Sequence, residues 1–229
     1  MGKTAILVDG GFYRKRANRL WGKVAPEEEV KRLIHYSVRH LKQHSYGAKK
    51  QIQFELYRLF YYDCPPLDSI VFHPFIQKNI NMKNTDIYKE MTLFLEVLRS
   101  KRKVALRLGE LSETQAKYVL TDRALKMLCR KEKSFDDLQE DDFYLSVDQK
   151  GVDMKIGIDI ASLAYKRQVD QIVLISGDSD FVPAAKLARR EGIDFILDSM
   201  HTHIKDNLNE HLDGLIARFK LNCPESFPR

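Results

Sequence analysis

The stretch VLISGDSDF, Val173 to Phe181, carries three apolar residues and a serine into two aspartates placed two apart. Carboxylates at a strand end can hold a hard cation or move a proton. Two further aspartates stand in comparable places: Asp9 closes the apolar run TAILV, and Asp153 sits where QKGVD enters a helical pattern. Taken singly, each has a structural explanation. An aspartate at a helix start caps free N–H groups and meets the positive end of the dipole, and Asp9 before Gly10-Gly11 can form an Asx turn. Capping does not explain convergence. Two carboxylates about 5 Å apart repel by about 3 kcal/mol at an effective dielectric of about 20, so Asp9, Asp153, Asp178 and Asp180 at one sheet edge need protons or cations. An all-oxygen donor set of this kind suits Mg²⁺ or Mn²⁺, held by a few carboxylates, waters and a substrate phosphate.

The elements that would position these acids follow from the apolar periodicity. TAILV reads as a buried first strand followed by a tight turn and a helix, and Pro26 with Glu27 to Glu29 opens an amphipathic helix expected to end near Tyr46-Gly47. FELYRLFYYD, Phe54 to Asp63, is a second strand that breaks at Pro65-Pro66, and the segment 66–84 reads as irregular. Asp86 to Lys103 is helical, and Val104 to Leu111 alternates like an edge strand. Asp141 to Val147 is a further strand, while TQAKYVLTDRALKMLCRK before it fits either a helix or a strand plus a helix. VDMKIGIDIASLAYKRQ has one apolar face with Val152, Ile156, Ile160 and Leu163 and another with Met154, Ile158, Ala161 and Tyr165, which predicts burial on two sides. QIVLIS and IDFILD are strands around a helix closed by Gly192, and 203–219 reads as a last helix within a C-terminal tail, 203–229. Alternation of this kind predicts an α/β fold with a mainly parallel sheet between helices, its ligand crevice outside the carboxyl ends of the strands.

The chain has 229 residues, a net charge of +6 and three widely separated cysteines, Cys64, Cys129 and Cys223. One domain over 1–229 is expected, soluble and cytoplasmic, with no disulfide framework or structural zinc. No apolar run is long enough to span a bilayer, so no membrane partner is expected. The positive charge is compatible with a polyanionic partner and equally with a solvated basic surface.

ILVDGGFY, YYDCPP, LRLGEL, KGVDMKIGIDI and VLISGDSDFVPAAKLARREGIDFIL occur in an order that resembles the NYN family of PIN-like nucleases, in particular its stand-alone LabA-like branch. The resemblance implies a three-layer α/β/α PIN-like fold and metal-dependent hydrolysis of RNA phosphodiester bonds. It carries the family's acidic residues onto Asp9, Asp153, Asp178 and Asp180. Many members read Asp-Gly-x-Asn after the first strand; here Phe12 takes the Asn place.

With RNA as the expected partner, substrate contacts are assigned to the basic run YRKRANR, with Arg14, Lys15, Arg16 and Arg19, and to Lys150 and Ser176. Phe12 and Tyr13 could stack on bases or belong to the core. Asp63 and Asp198 also end strands and are read as peripheral, and His201, His203 and His211 as surface residues. Other single-stranded nucleic acid and a homo-oligomer stay open. Two rival readings remain. One is a catalytically silent RNA-binding or regulatory module on the same fold. The other, a haloacid-dehalogenase-like phosphatase, needs Asp-x-Asp after the first strand, where this chain has Asp9-Gly10-Gly11.

Overall fold

A strand covered on both faces needs an unbroken apolar run, and β1 (Lys3–Asp9) has one: Thr4 to Val8 are all fully buried. In the computed structural model, which describes residues 2–44, 51–112, 115–203 and 212–215, this strand lies inside a six-stranded sheet. Along the chain follow α1 (Gly10–Trp21), α2 (Pro26–Val38), β2 (Lys42–His44), β3 (Gln51–Gln53), β4 (Glu55–Asp63), β5 (Ile70–His73) and β6 (Lys78–Asn81). After them come α3 (Asp86–Arg99), β7 (Val104–Leu108), β8 (Glu110–Leu111), β9 (Lys117–Leu120), α4 (Asp122–Cys129), β10 (Phe143–Ser146) and β11 (Gln149–Lys150). The chain closes with α5 (Val152–Tyr165), β12 (Gln171–Ile175), α6 (Val182–Arg190), β13 (Asp194–Asp198) and β14 (Gly214–Leu215).

The sheet order is β14-β13-β12-β1-β4-β7, and every neighbouring pair is parallel. β1 pairs with β12 on one side and β4 on the other, so the strand order reverses beside it, the place where open α/β sheets form their crevice. Successive residues of β4 face opposite ways: Tyr61 meets Phe94 of α3 at 5.4 Å between ring centroids, whereas the Tyr62 hydroxyl donates to Asp159 of α5 at 2.8 Å. Helices therefore cover both faces, and the three-layer α/β/α architecture expected from the alternation is the observed one. β7 ends the sheet with every residue half-buried, as an edge strand should be.

The chain divides into two compact units. The first, residues 1–63, 93–109 and 151–229, holds the parallel sheet. The second, 64–92 and 110–150, is built from three antiparallel pairs, β5–β6, β9–β10 and β8–β11, around Leu67, Val71 and Met82.

Several expectations need correction. Segment 66–84 is not irregular: it contains the β5–β6 hairpin and a short 3-10 turn over Met82–Asn84. The open segment before β10 is a strand plus a helix, with Thr121 capping α4 through Ala124 N–H. The helix opened by Pro26 stops at Val38, where the chain turns so that buried His40 reaches Asp198 at 2.9 Å, and residues 42–44 then form β2. The second apolar face of α5 is uncovered, with Met154 70%, Ile158 59% and Tyr165 59% exposed. Of the helix expected over 203–219, residues 204–211 and 216–219 lie outside the described residues, and Gly214–Leu215 is a strand paired with β13.

Candidate active site

Register brings the strand ends together. Asp9 pairs with Tyr62 across β1 and β4, and Val8 with Ile175 across β1 and β12, so Asp9, Asp63 and Ser176 stand at one edge of the sheet. Asp9 is both the last residue of β1 and the N-cap of α1: one carboxylate oxygen accepts from Phe12 N–H at 3.0 Å, the other from the Ser176 hydroxyl at 3.1 Å. The same Ser176 oxygen accepts from Asp178 N–H at 3.3 Å, so one buried hydroxyl links the end of β1 to the turn after β12. Asp178 in turn caps the 3-10 turn Ser179–Phe181 by accepting from Asp180 N–H at 3.0 Å. Asp153 lies in the first turn of α5, entered through Gly151 at φ 79°, a left-handed backbone that suits glycine.

Electrostatics record which acids sense one another. Burial raises the Asp9 carboxyl above the ordinary aspartate range against two lowering hydrogen bonds, and the charges of Asp153 and Asp63 push the same way. Asp153 is also raised, first by burial, then by Asp178 and by Asp180. Asp153 thus acts on Asp9 and is acted on by Asp178 and Asp180. Among the described residues, however, no three His, Cys, Asp or Glu side chains stand close enough to grip one ion directly. The four carboxylates share an electrostatic environment without forming a closed cage. A hard dication held by one or two carboxylates, with waters and a substrate phosphate in the remaining positions, matches such a donor set.

Two glycines are required by close approach at this edge. A Cβ on Gly10 would stand 2.5 Å from Asp63 Oδ2 and from the Tyr61 Cζ and hydroxyl. On Gly177 it would stand 2.5 Å from Phe12 Cε2, so the half-buried Phe12 ring sits over the turn that carries Asp178. Tyr13 is fully buried and belongs to the core, where its ring lies 6.2 Å from Tyr36.

The basic residues named from sequence separate. Arg14 forms an ion pair with Asp63 at 2.8 Å, and Arg16 donates to the Met200 carbonyl at 2.6 and 3.2 Å, so both guanidinium groups are structurally engaged. Lys15 and Arg19 are exposed on α1. Lys150 is exposed at the end of β11 in the second unit, and Ser176 is fully buried, so it positions the carboxylates rather than facing a substrate. His201 and His203 are exposed; His211 lies outside the described residues.

Asp63, read as peripheral, is buried, accepts from the Tyr61 hydroxyl at 3.0 Å and acts on Asp9. The signal for it was present in YYD, a strand that ends in parallel with TAILVD. Asp198 is buried as well but committed elsewhere: it accepts from the Tyr36 hydroxyl at 2.5 Å and Met200 N–H at 2.8 Å.

The sequence profile of the NYN domain matches residues 76–217, more than half of the chain. The match includes Asp153, Asp178 and Asp180 and begins after β1, leaving Asp9 outside. No curated protein matches this chain. Among solved structures, a protein of unknown function from Vibrio parahaemolyticus RIMD 2210633 is similar, with a TM-score of 0.45 and 16% identity over 94% of this chain and 91% of that one.

Proposed function

The chain belongs to the NYN domain family of PIN-like nucleases, and from that premise we propose a metal-dependent ribonuclease that hydrolyses phosphodiester bonds at the carboxylate edge of the sheet. The observation that carries this reading is the Ser176 hydroxyl that ties Asp9 to the Asp178 turn at the sheet edge, beside which Asp153 raises Asp9 and is itself raised by Asp178 and Asp180. A group of acids that destabilise one another's charge gains from a cation, and such perturbation clusters at functional sites.

Asp9, Asp153 and Asp178 would hold one or two Mg²⁺ or Mn²⁺ ions, with Asp180 completing the set or orienting the attacking water. Such an ion, when bound, eases deprotonation of a water and offsets charge developing on the phosphate. Phe12 N–H and the Ser176 hydroxyl fix the direction of the Asp9 carboxylate, so it need not reorganise when substrate arrives. Attack by water needs no 2′-hydroxyl; RNA is assigned over DNA on the family's account. Its motifs align it with the LabA-like branch, and we place it in the cytoplasm as a single functional domain.

A second reading is a silent RNA-binding module, favoured by the absence of a three-carboxylate cage among the described residues. The two separate in one assay. Labelled single-stranded RNA, duplex RNA and single-stranded DNA are incubated with Mg²⁺, Mn²⁺ or EDTA, beside Asp178→Asn. The nuclease reading expects RNA cleavage that stops in EDTA and falls by about 10²-fold or more in the variant, roughly 2.7 kcal/mol of barrier. Binding without cleavage in every metal selects the silent module.

A further inference from the structure

β4 carries one residue more than β1 opposite the Thr4–Ala5 step: Thr4 pairs with Leu56 and Ala5 with Arg58, which leaves Tyr57 as a bulge. Bulges redirect side chains, and here Tyr57 and Arg58 both line a groove of about 260 Å³ with Phe60, Arg107, Ser162 and Gln168. The Tyr57 hydroxyl meets the Gln168 side chain at 3.4 Å, and the Arg107 guanidinium lies 5.3 Å from the centre of the Phe60 ring. The groove's one acid, Asp159, is spoken for by Arg107 at 2.9 Å and by the Tyr62 hydroxyl at 2.8 Å. Arg58 is exposed, and so are Lys101 and Arg102 in the turn feeding β7 and Lys166 and Arg167 just before Gln168. Glu55, at the start of β4, is paired with Lys103 at 3.1 Å.

The exposed Arg58, the half-buried Tyr57 ring and the exposed Gln168 amide, with four more exposed cations in the adjoining turns, are the chemistry that grips a phosphodiester backbone and stacks an unpaired base, while Phe60 is buried beneath Arg107. The groove belongs to the far end of α5 from the carboxylates. Along β4, Tyr57 stands six residues before Asp63, about 20 Å at about 3.3 Å per residue, and Gln168 lies just past the end of the helix whose first turn carries Asp153.

We propose that this groove is a second binding surface for single-stranded nucleic acid, holding the flank of a strand whose scissile phosphate lies at the carboxylate edge. The proposal rests on the nuclease reading for what happens at that edge, but binding in the groove can be measured without turnover. A long and a short oligouridylate, the short one spanning only a few nucleotides, are titrated in EDTA into wild type, Arg58→Glu/Arg167→Glu, Arg58→Lys and the second-unit control Lys126→Glu. The double variant is expected to bind the long strand about tenfold more weakly, with a salt slope lower by about 0.7 for each phosphate it no longer neutralises. Arg58→Lys retains most of the affinity, the control all of it, and the short strand binds every variant alike. Long-strand affinity unchanged in the double variant, an equal weakening on both strands, or no binding by wild type overturns the groove. If wild type cleaves nothing in Mg²⁺ or Mn²⁺ while long-strand binding follows Arg58, the groove stands and the nuclease reading falls. If it cleaves while binding ignores Arg58, the reverse holds.

Discussion

At Asp153 the competing terms are local. Burial and the charges of Asp178 and Asp180 raise its carboxyl, and burial with Asp153 and Asp63 raises Asp9. A carboxyl whose folded pKa lies above its unfolded value contributes stability below the ordinary aspartate range and loses it as pH rises through the raised value. The metal-free protein therefore gives up this contribution as the two carboxyls ionise, and a bound dication would offset the loss. Mg²⁺ or Mn²⁺ at about ten times its Kd should stabilise the fold by about 1.4 kcal/mol at neutral pH, or roughly 3–5 °C in a chain of this size. The gain should shrink as the solution is acidified through the raised pKa values and be largely absent in Asp153→Asn. Calorimetric scans over pH with and without metal measure it, and an ion effect indifferent to pH or to that substitution would place the ion elsewhere. Phe12 offers a second test at this scale. Gly177→Ala puts a methyl group against its ring and should cost about 1–3 kcal/mol, with Phe12→Leu restoring part of the stability as a measurable coupling.

Elements set the edge at which these residues meet, and the junction of β1 with α1 is its tightest point. The strand runs straight into the helix because Asp9 caps it, and Gly10 passes against Tyr61 and Asp63. Gly10→Ala should therefore lower stability by about 1–3 kcal/mol and disturb the Arg14–Asp63 ion pair, seen as a lower Tm together with reduced RNA cleavage. The major elements were readable from the chain: TAILV, QIVLIS and IDFILD are apolar runs that only a doubly covered parallel strand requires, and Asp9 and Asp178 follow two of them. What escaped reading depends on a partner rather than on the segment's own pattern. KQH, QIQ and KNIN carry no alternating apolar signal, so β2, β3 and β6 exist by pairing rather than by propensity. Periodicity marked both faces of α5 as apolar and so predicted both covered, whereas packing covers only the face with Val152, Ile156, Ile160 and Leu163. The Ser176 bridge from Asp9 to Asp178, and the inward turn of Arg14 onto Asp63, follow from strand register, which no local spacing encodes.

On the scale of the whole molecule the charge is unevenly divided. The second unit contains more Asp and Glu than Lys and Arg, so the first unit carries all of the net +6 and more. The carboxylate edge and the basic α1 both lie in that first unit, where a polyanion would be attracted over roughly a Debye length of about 8 Å at physiological salt. Lys15 and Arg19 are the exposed cations that follow Asp9 on α1, and neither holds another part of the fold in the way Arg14 and Arg16 do. Replacing both by alanine should weaken single-stranded RNA binding several-fold, uniformly across sequences, and lower the salt slope by about 0.7 for each phosphate left without its cation. Thermal stability should hardly change, because both side chains are solvated. Lys126→Ala with Lys131→Ala, exposed cations of the acidic second unit, provides the comparison. If RNA binding were a diffuse response to overall charge, the two pairs would weaken it equally; a larger effect from the α1 pair assigns the polyanion to the unit that holds the carboxylates.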